Sequence, residues 1–284
     1  MTDRLAASFS ETFPLDRSRL ETVLQAALKK KEAGLSKADL AETNLGVNMR
    51  PVYLNWLYGT GLGLRESNDG TIALSLFGRV QATRPTRLSD TRTQWLMHYH
   101  LSASQGPGPL FWHQAITRFF EIEATFEKSD WLSVSKRNFG ANLSDSTISH
   151  AWDAFTKTYS GGALKELGLL IPAGLGKKPT QYQFTMPFVG LGSDAFAFVL
   201  VDHWEREWND SVTVGIDRLY ESGGLAQLLF LTTSQIDEYL TEMVNDGWID
   251  IYRVAPPYQI ARRWDDFPEQ KLKVLRKIYG DGSI

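Results

Sequence analysis

The spacing of apolar residues along the chain predicts helices joined by short β-hairpins. Between Leu20 and Leu28, apolar residues recur at intervals of three and four, which is the period of an amphipathic helix. Lysines at 29–31 favour the C-terminal end of that helix through its dipole, and Gly34 follows as a helix stop. We therefore predict a first helix over residues 16–31.

The next elements follow in the order of a winged helix-turn-helix module. A short helix is predicted over 36–42, and Asn48 begins a second helix with Pro51 in its first turn, where a missing N–H costs little. Two short strands over 64–67 and 71–76 flank an Asn-Asp-Gly turn, which indicates a hairpin.

The same order of elements recurs twice. In the second copy, Ser144 begins a helix, and two later strands flank a turn over 174–178 that is typical of a wing. In the third copy, a helix over 233–245 precedes strands over 248–254 and 258–261. The copies share an order of elements but no fixed period, so they are recurrent modules and not a solenoid repeat.

These patterns predict a mainly α chain with small β-hairpins, an α+β fold class with multiple winged helix-turn-helix modules. With 284 residues, 43% of them hydrophobic, the chain has enough apolar side chains for packed cores. The predicted boundaries are an N-terminal winged-helix module over 1–90, a helical connector over 91–130, a middle winged-helix module over 131–190, and a C-terminal helical and winged-helix module over 191–284.

Composition narrows the possible chemistry. The chain has no cysteine, which excludes disulfides, thiolate metal sites and thiol nucleophiles. Its first residues lack the apolar core of a signal peptide and its apolar runs are too short to span a bilayer, so we predict a cytoplasmic protein without membrane contact. The formal charge is −3, so binding of a polyanion would depend on local clusters of basic residues.

Basic residues are concentrated in the middle module. Over 131–188 six basic residues stand against three acidic ones, whereas over 232–263 three basic residues stand against five acidic ones. Contacts of Lys and Arg with phosphates supply most of the non-specific affinity of a protein for DNA. We therefore expect the first and middle modules to contact the duplex and the acidic third module to pack or to bind protein.

Helix and wing residues of the first two modules are the candidate DNA contacts. Asn and Arg can read base edges in the major groove, and Lys and Arg bind phosphates. The predicted contacts are Asn48, Arg50, Tyr53, Asn55 and Arg65 in the first module, and Lys136, Arg137, Ser146, Ser149, His150, Lys157, Lys177 and Lys178 in the middle module. An alternative is that Asn48 only caps its helix and that Arg50 lies on a solvated face.

The remaining motifs do not favour a cofactor site, a metal site or a catalytic site. The glycines at 59, 61 and 63 follow a helix and precede strands, which is the wrong order for a dinucleotide-binding loop. His98 and His100 are two residues apart in a helical pattern, so their side chains diverge and a metal site is not favoured. The charged cluster over 202–207 is typical of ion pairing along one helix. We predict no catalytic residue, no metal, no cofactor and no enzymatic activity.

Three phrases carry a resemblance to a known family: FSETFPLDRSRL at 9–20, LGVNMRPVYLNWLYGTGL at 45–62 and SDTRTQWLMHYHL at 89–101. In their order they resemble an uncharacterised bacterial family whose members begin with F-x-H-E-T-F-P-L and continue with L-G-V-G-x-N-M. The chain departs from the first phrase at Ser10, where the family usually has a histidine. Members of the family are often encoded beside genes for DNA phosphorothioation or phage defence, so the resemblance implies a role in DNA modification or defence.

Together these inferences predict a non-catalytic, DNA-binding accessory protein of a phosphorothioation-type modification or phage-defence system. Its expected partners are double-stranded DNA and other proteins of the same system. Two alternatives stay open. The chain could be a protein-interaction scaffold of that system that does not contact DNA, or a transcriptional regulator of its own operon.

Overall fold

A computed structural model describes residues 4–65, 70–84, 87–118, 124–139, 143–174, 179–254 and 256–280. Over these ranges the chain forms eleven α-helices and eight short strands. The helices are α1 (Arg17–Lys30), α2 (Met49–Gly59), α3 (Leu76–Thr83), α4 (Thr91–Ser102), α5 (Leu110–Arg118), α6 (Lys128–Phe139), α7 (Asp145–Ser160), α8 (Ser193–Glu207), α9 (Leu225–Leu228), α10 (Thr233–Asn245) and α11 (Phe267–Tyr279).

The strands form three small antiparallel sheets. They are β1 (Gly63–Leu64), β2 (Ala73–Leu74), β3 (Thr125–Glu127), β4 (Leu170–Ala173), β5 (Gln181–Phe184), β6 (Thr213–Gly215), β7 (Ile249–Tyr252) and β8 (Gln259–Arg262). The second sheet has the order β3-β5-β4 and the third has the order β6-β8-β7. In the first sheet β1 pairs with β2, and a bridge between Leu35 and Ile72 stands where the other sheets have their first strand. All three sheets therefore share one plan.

Each hairpin follows helices in the same order along the chain. The pairs β1–β2, β4–β5 and β7–β8 come directly or closely after α2, α7 and α10, respectively. The prediction of a helical chain with small antiparallel hairpins is confirmed. One boundary differs, since residues 125–127, predicted in the connector, form β3 of the second sheet.

Side-chain caps fix where several helices begin. Asp16, Ser144 and Thr232 accept hydrogen bonds from backbone N–H groups in the first turns of α1, α7 and α10. Ser75 does the same for α3, which begins at Leu76. The predicted strand over 71–76 is therefore wrong at its end, because the Ser75 cap turns the chain into a helix after β2.

One continuous hydrophobic core connects all these elements, from Leu5 to Ile278. Trp56 of α2 and Trp112 of α5 meet edge to face at 5.5 Å between ring centroids. At the other end of the chain, α11 returns to α4: Arg92 Nη1 donates to the carbonyl of Ile278 at 2.7 Å. The modules predicted from the sequence thus share a common interior.

In the described part of the chain, the helices are all too short or too polar to cross a membrane.

Candidate functional site

Helix α7 presents a polar stripe to solvent. Ser146, His150 and Lys157 are exposed, and Ser149 is half-buried. Positions 146, 149, 150 and 157 lie along one side of the helix at 3.6 residues per turn. The stripe begins at the N-terminal end of α7, which Ser144 caps, and the helix dipole favours an anion at that end.

The opposite side of α7 is locked into an aromatic core. Trp152 packs edge to face on Phe126 of β3 and Tyr182 of β5, with centroid distances of 5.7 and 5.6 Å. Tyr159 accepts a hydrogen bond from Trp112 Nε1 at 3.1 Å. Because this inner face is fully packed, the polar stripe has a fixed orientation.

Helix α6 adds two exposed cations beside the start of α7. Lys136 and Arg137 lie in its last turn, and Lys136 Nζ pairs with Asp145 at 2.8 Å. Lower on α7, Asp153 pairs with Lys128 at 3.3 Å. Asp145 and Asp153, the two acidic groups of α7, are thus each paired with a lysine of α6. The predicted wing residues Lys177 and Lys178 lie outside the described residues.

Helix α2 of the first module differs, because its predicted base-reading residues are covered. Tyr53 is completely buried and its hydroxyl donates to the carbonyl of Pro14 at 3.0 Å, so the prediction that it contacts DNA is wrong. Asn55 is half-buried between the carbonyl of Phe9 and the guanidinium of Arg65. The N-terminal segment over 4–16 therefore occupies the side of α2 that a groove-binding helix would present.

Two residues at the start of α2 remain accessible to solvent. Asn48 is exposed, and its side chain makes no capping hydrogen bond. Arg50 is half-buried, and its Nε donates to the carbonyl of Leu45 at 3.2 Å. Asn48 occupies the N-cap position without capping the helix, and Arg50 holds the preceding turn.

A buried ionic cluster brings His100 of the H-x-H motif together with the charged residues over 202–207. Asp202 of α8 accepts hydrogen bonds from Arg206 Nε and Lys271 Nζ, each at 2.6 Å. Lys271, from α11, also bonds Glu205. His100 of α4 faces the same carboxylate, with Nδ1 at 3.8 Å from Asp202 Oδ2.

Burial and charge act in opposite directions on the pKa values of this cluster. Burial alone would raise the pKa of Asp202, but Arg206 and Lys271 hold it well below its usual range. Burial lowers the pKa of His100 to about 3, against a smaller opposing effect of Asp202. At neutral pH Asp202 is consequently ionised between two cations, and His100 is a neutral imidazole.

The two histidines of the H-x-H motif separate, as their helical spacing predicts. His98 points into the core, where it meets the Tyr159 hydroxyl and the Leu228 carbonyl, each at 2.7 Å. Among the residues that the structure places, no three His, Asp or Glu side chains are grouped as a metal site would need. The absence of enzymatic activity stays a prediction.

Known proteins share this fold. Two solved structures, described as "Magnesium ion-bound SspB crystal structure" and "SspB crystal structure", match with TM-scores of 0.77 and 0.75, both at 16% sequence identity. Each match covers 98% of this chain and 89% of the SspB chain. A family model described as "Protein of unknown function (DUF4007)" matches residues 8–279. No curated protein matches the sequence.

Proposed function

The chain belongs to the DUF4007 family of proteins of unknown function, and we propose that it binds double-stranded DNA through the exposed surface of α6 and α7. In this proposal it is an accessory protein of a DNA-modification or defence system, as the resemblance of its N-terminal phrases implies. The three helix-and-hairpin units are winged helix-turn-helix modules, of which the middle one contacts the duplex.

One observation carries the proposal: α7 combines a fixed inner face with an exposed polar stripe. A recognition helix needs both, since its residues must reach base edges while its backbone stays in register with the phosphates. Lys136, Arg137 and Lys157 would contact phosphates. Ser146 and His150 would face the groove.

The proposal is tested by fluorescence anisotropy with a labelled duplex of about 30 bp at roughly 50 and 200 mM salt. Replacing Lys136, Arg137 and Lys157 together by Ala should weaken binding at both salt concentrations. It should also reduce the slope of log affinity against log salt by roughly 2–3, since each phosphate contact contributes about 0.9.

A matched control removes three exposed cations from other surfaces. Lys29, Lys37 and Arg276 replaced by Ala lower the total charge equally but leave α6 and α7 intact. Equal loss of affinity in both triple variants would mean that binding depends only on net charge, and unchanged affinity in the α6–α7 variant would overturn the proposed interface.

A second function, as a protein-binding scaffold, is favoured by the third module. The hairpin of β7 and β8 exposes Tyr252, Val254 and Tyr258, with Val254 at 96% of its full accessibility. Clustered exposed apolar groups mark protein-interaction sites, and tyrosine is enriched in protein interfaces. Replacing Tyr252 and Val254 by Ser should abolish co-purification with products of neighbouring genes and leave DNA affinity unchanged. Retained co-purification would contradict the scaffold function.

A further inference from the structure

A cavity of about 350 Å³ is lined on one side by the buried ionic cluster of Asp202, Glu205, Arg206 and Lys271. That volume falls within the range of about 300–1,000 Å³ that small-molecule sites occupy. Its lining residues come from α2, α3, α4, α8 and α11, from the chain around β1 and β2, and from Pro107. None comes from α6 or α7. The cavity is therefore separate from the surface that we propose for duplex binding.

The walls of the cavity are mostly apolar and aromatic. Phe77 of α3 and Phe198 of α8 pack against each other, with 6.0 Å between ring centroids and an interplanar angle of 45°, and form one wall of the cavity. Tyr58, Leu64 and Leu76 complete this wall. Aromatic side chains at such angles suit a planar heterocycle, which can contact their faces and edges.

His100 forms a polar floor without satisfied hydrogen bonds. It is 3% exposed, and neither ring nitrogen has a hydrogen-bond partner among the described residues. Gly61 packs directly against the ring, where any larger side chain would overlap it, and this contact fixes the imidazole plane. A neutral imidazole offers one N–H donor and one acceptor. A buried donor and acceptor without partners are costly, so a ligand that satisfies them gains affinity.

The mouth of the cavity carries a cation. Within the lining, Asp202 and Glu205 are neutralised by Arg206 and Lys271 through the bonds already described. Arg79 lines the cavity but is exposed to solvent, so its guanidinium lies at the opening. A mostly apolar cavity with a donor and an acceptor at its base and a guanidinium at its mouth is complementary to a base that bears a phosphate.

We propose that this cavity binds a nucleotide, with the base against the wall that Phe77 and Phe198 form, its polar edge toward His100, and its phosphate at Arg79. The nucleotide is either free or part of a DNA strand whose base leaves the stack to enter the cavity. This site goes beyond duplex binding by α6 and α7, and it does not depend on that binding.

The test is isothermal titration of the full chain with each of the four deoxynucleoside 5′-monophosphates, with the matching nucleosides, and with inorganic phosphate. At least one monophosphate should bind saturably, its nucleoside about tenfold more weakly, and phosphate alone not at all, because base and phosphate contacts are both required. A four-nucleotide single strand, titrated in the same way, separates the two sources of the ligand.

Two variants locate the site. Leu64→Trp places a large ring at the mouth, where Leu64 is already 45% exposed, and should abolish binding without affecting the fold. Arg79→Ala should reduce monophosphate affinity to that of the nucleoside, and Arg79→Lys should restore most of it. The control is Lys273→Ala, an exposed cation of α11 outside the lining.

The titrations distinguish a free nucleotide, a base from a strand, and no nucleotide site. Binding of a free monophosphate that Leu64→Trp abolishes supports the cavity as a nucleotide site. Binding of the single strand alone, again abolished by Leu64→Trp, supports entry of a base from a strand. Absence of binding for every probe, or binding that Leu64→Trp leaves unchanged, overturns the proposal. The α6–α7 triple variant should retain nucleotide binding, which distinguishes this result from failure of the duplex interface.

Discussion

Helices α2 and α7 occupy the same position in two modules of the same plan, yet their surroundings are opposite. Each precedes a hairpin and follows a shorter helix, which is the 3-10 helix Asp39–Glu42 before α2 and α6 before α7. The N-terminal segment and α5 cover α2, and seven of its eleven residues are buried. Helix α7 is buried on one face only. A shared order of elements therefore does not imply a shared function, because exposure decides which helix can meet a ligand.

The largest expected difference between the two helices concerns stability. Trp56→Ala in α2 should lower the free energy of unfolding by about 3–5 kcal/mol, since the ring is fully buried against Phe9 and Trp112. His150→Ala in α7 should change it by less than about 0.5 kcal/mol, as an exposed substitution. Urea denaturation of both variants measures the contrast, and similar losses would show that α7 is not a free surface.

The second expected effect is acid sensitivity of the covered region. Burial lowers the pKa of His98 and His203 to about 4 and that of His100 to about 3. Below about pH 6.5 these histidines bind protons in the unfolded chain, whereas in the folded chain they stay neutral until a lower pH. The contribution of these histidines to the free energy of unfolding should be fully present above pH 6.5 and should be lost steadily as the pH falls toward 4.

One variant sharpens that expectation. His100→Leu removes an imidazole that has no hydrogen-bond partner among the described residues, so stability near pH 7 should change little. The slope of unfolding free energy between pH 6.5 and 4 should decrease by about one proton, or about 1.4 kcal/mol per pH unit. Denaturation curves at several pH values give this slope. An unchanged slope would mean that the ring is protonated in the folded protein.

The third expected effect concerns DNA affinity. Lys157→Glu on α7 should weaken duplex binding by about tenfold, because a phosphate contact becomes a repulsion. Asn48→Ala at the start of α2 should leave affinity unchanged, although Asn48 is exposed, since its helix is covered. Anisotropy titrations at one salt concentration compare the two. A loss of affinity in the Asn48 variant alone would reverse the assignment of the two helices.

The smallest expected effect compares the two caps. Ser144→Ala should cost about 1 kcal/mol, because the hydroxyl accepts a hydrogen bond from Thr147 N–H at 3.2 Å. Asn48→Ala should cost only a few tenths of a kcal/mol, since the Asn48 side chain makes no capping bond. Thermal unfolding of the two variants is sensitive enough to rank them, and equal shifts would contradict the difference between the caps.

Local features of this fold are predictable from the sequence, and contacts between distant segments are not. The predicted helix over 233–245 matches α10, because its capping residues and apolar period lie within the helix itself. The cover on Tyr53 comes from Pro14, 39 residues away. The ionic cluster joins Asp202 to Lys271 and His100 from two other helices. Neither arrangement leaves a local pattern in the sequence. The one local signal for the ionic cluster is the position of Asp202 directly after an apolar run.

The position of α11 along the chain has a consequence for protein synthesis. Its residues Lys271 and Ile278 complete contacts with Asp202 of α8 and Arg92 of α4, which leave the ribosome much earlier. Chains are synthesised at about 5–20 residues per second, so α11 emerges roughly ten seconds or more after α4. The interior therefore cannot be complete before α11 has emerged, and a chain truncated before α11 would leave Asp202 and Glu205 without Lys271 and the core open on that side.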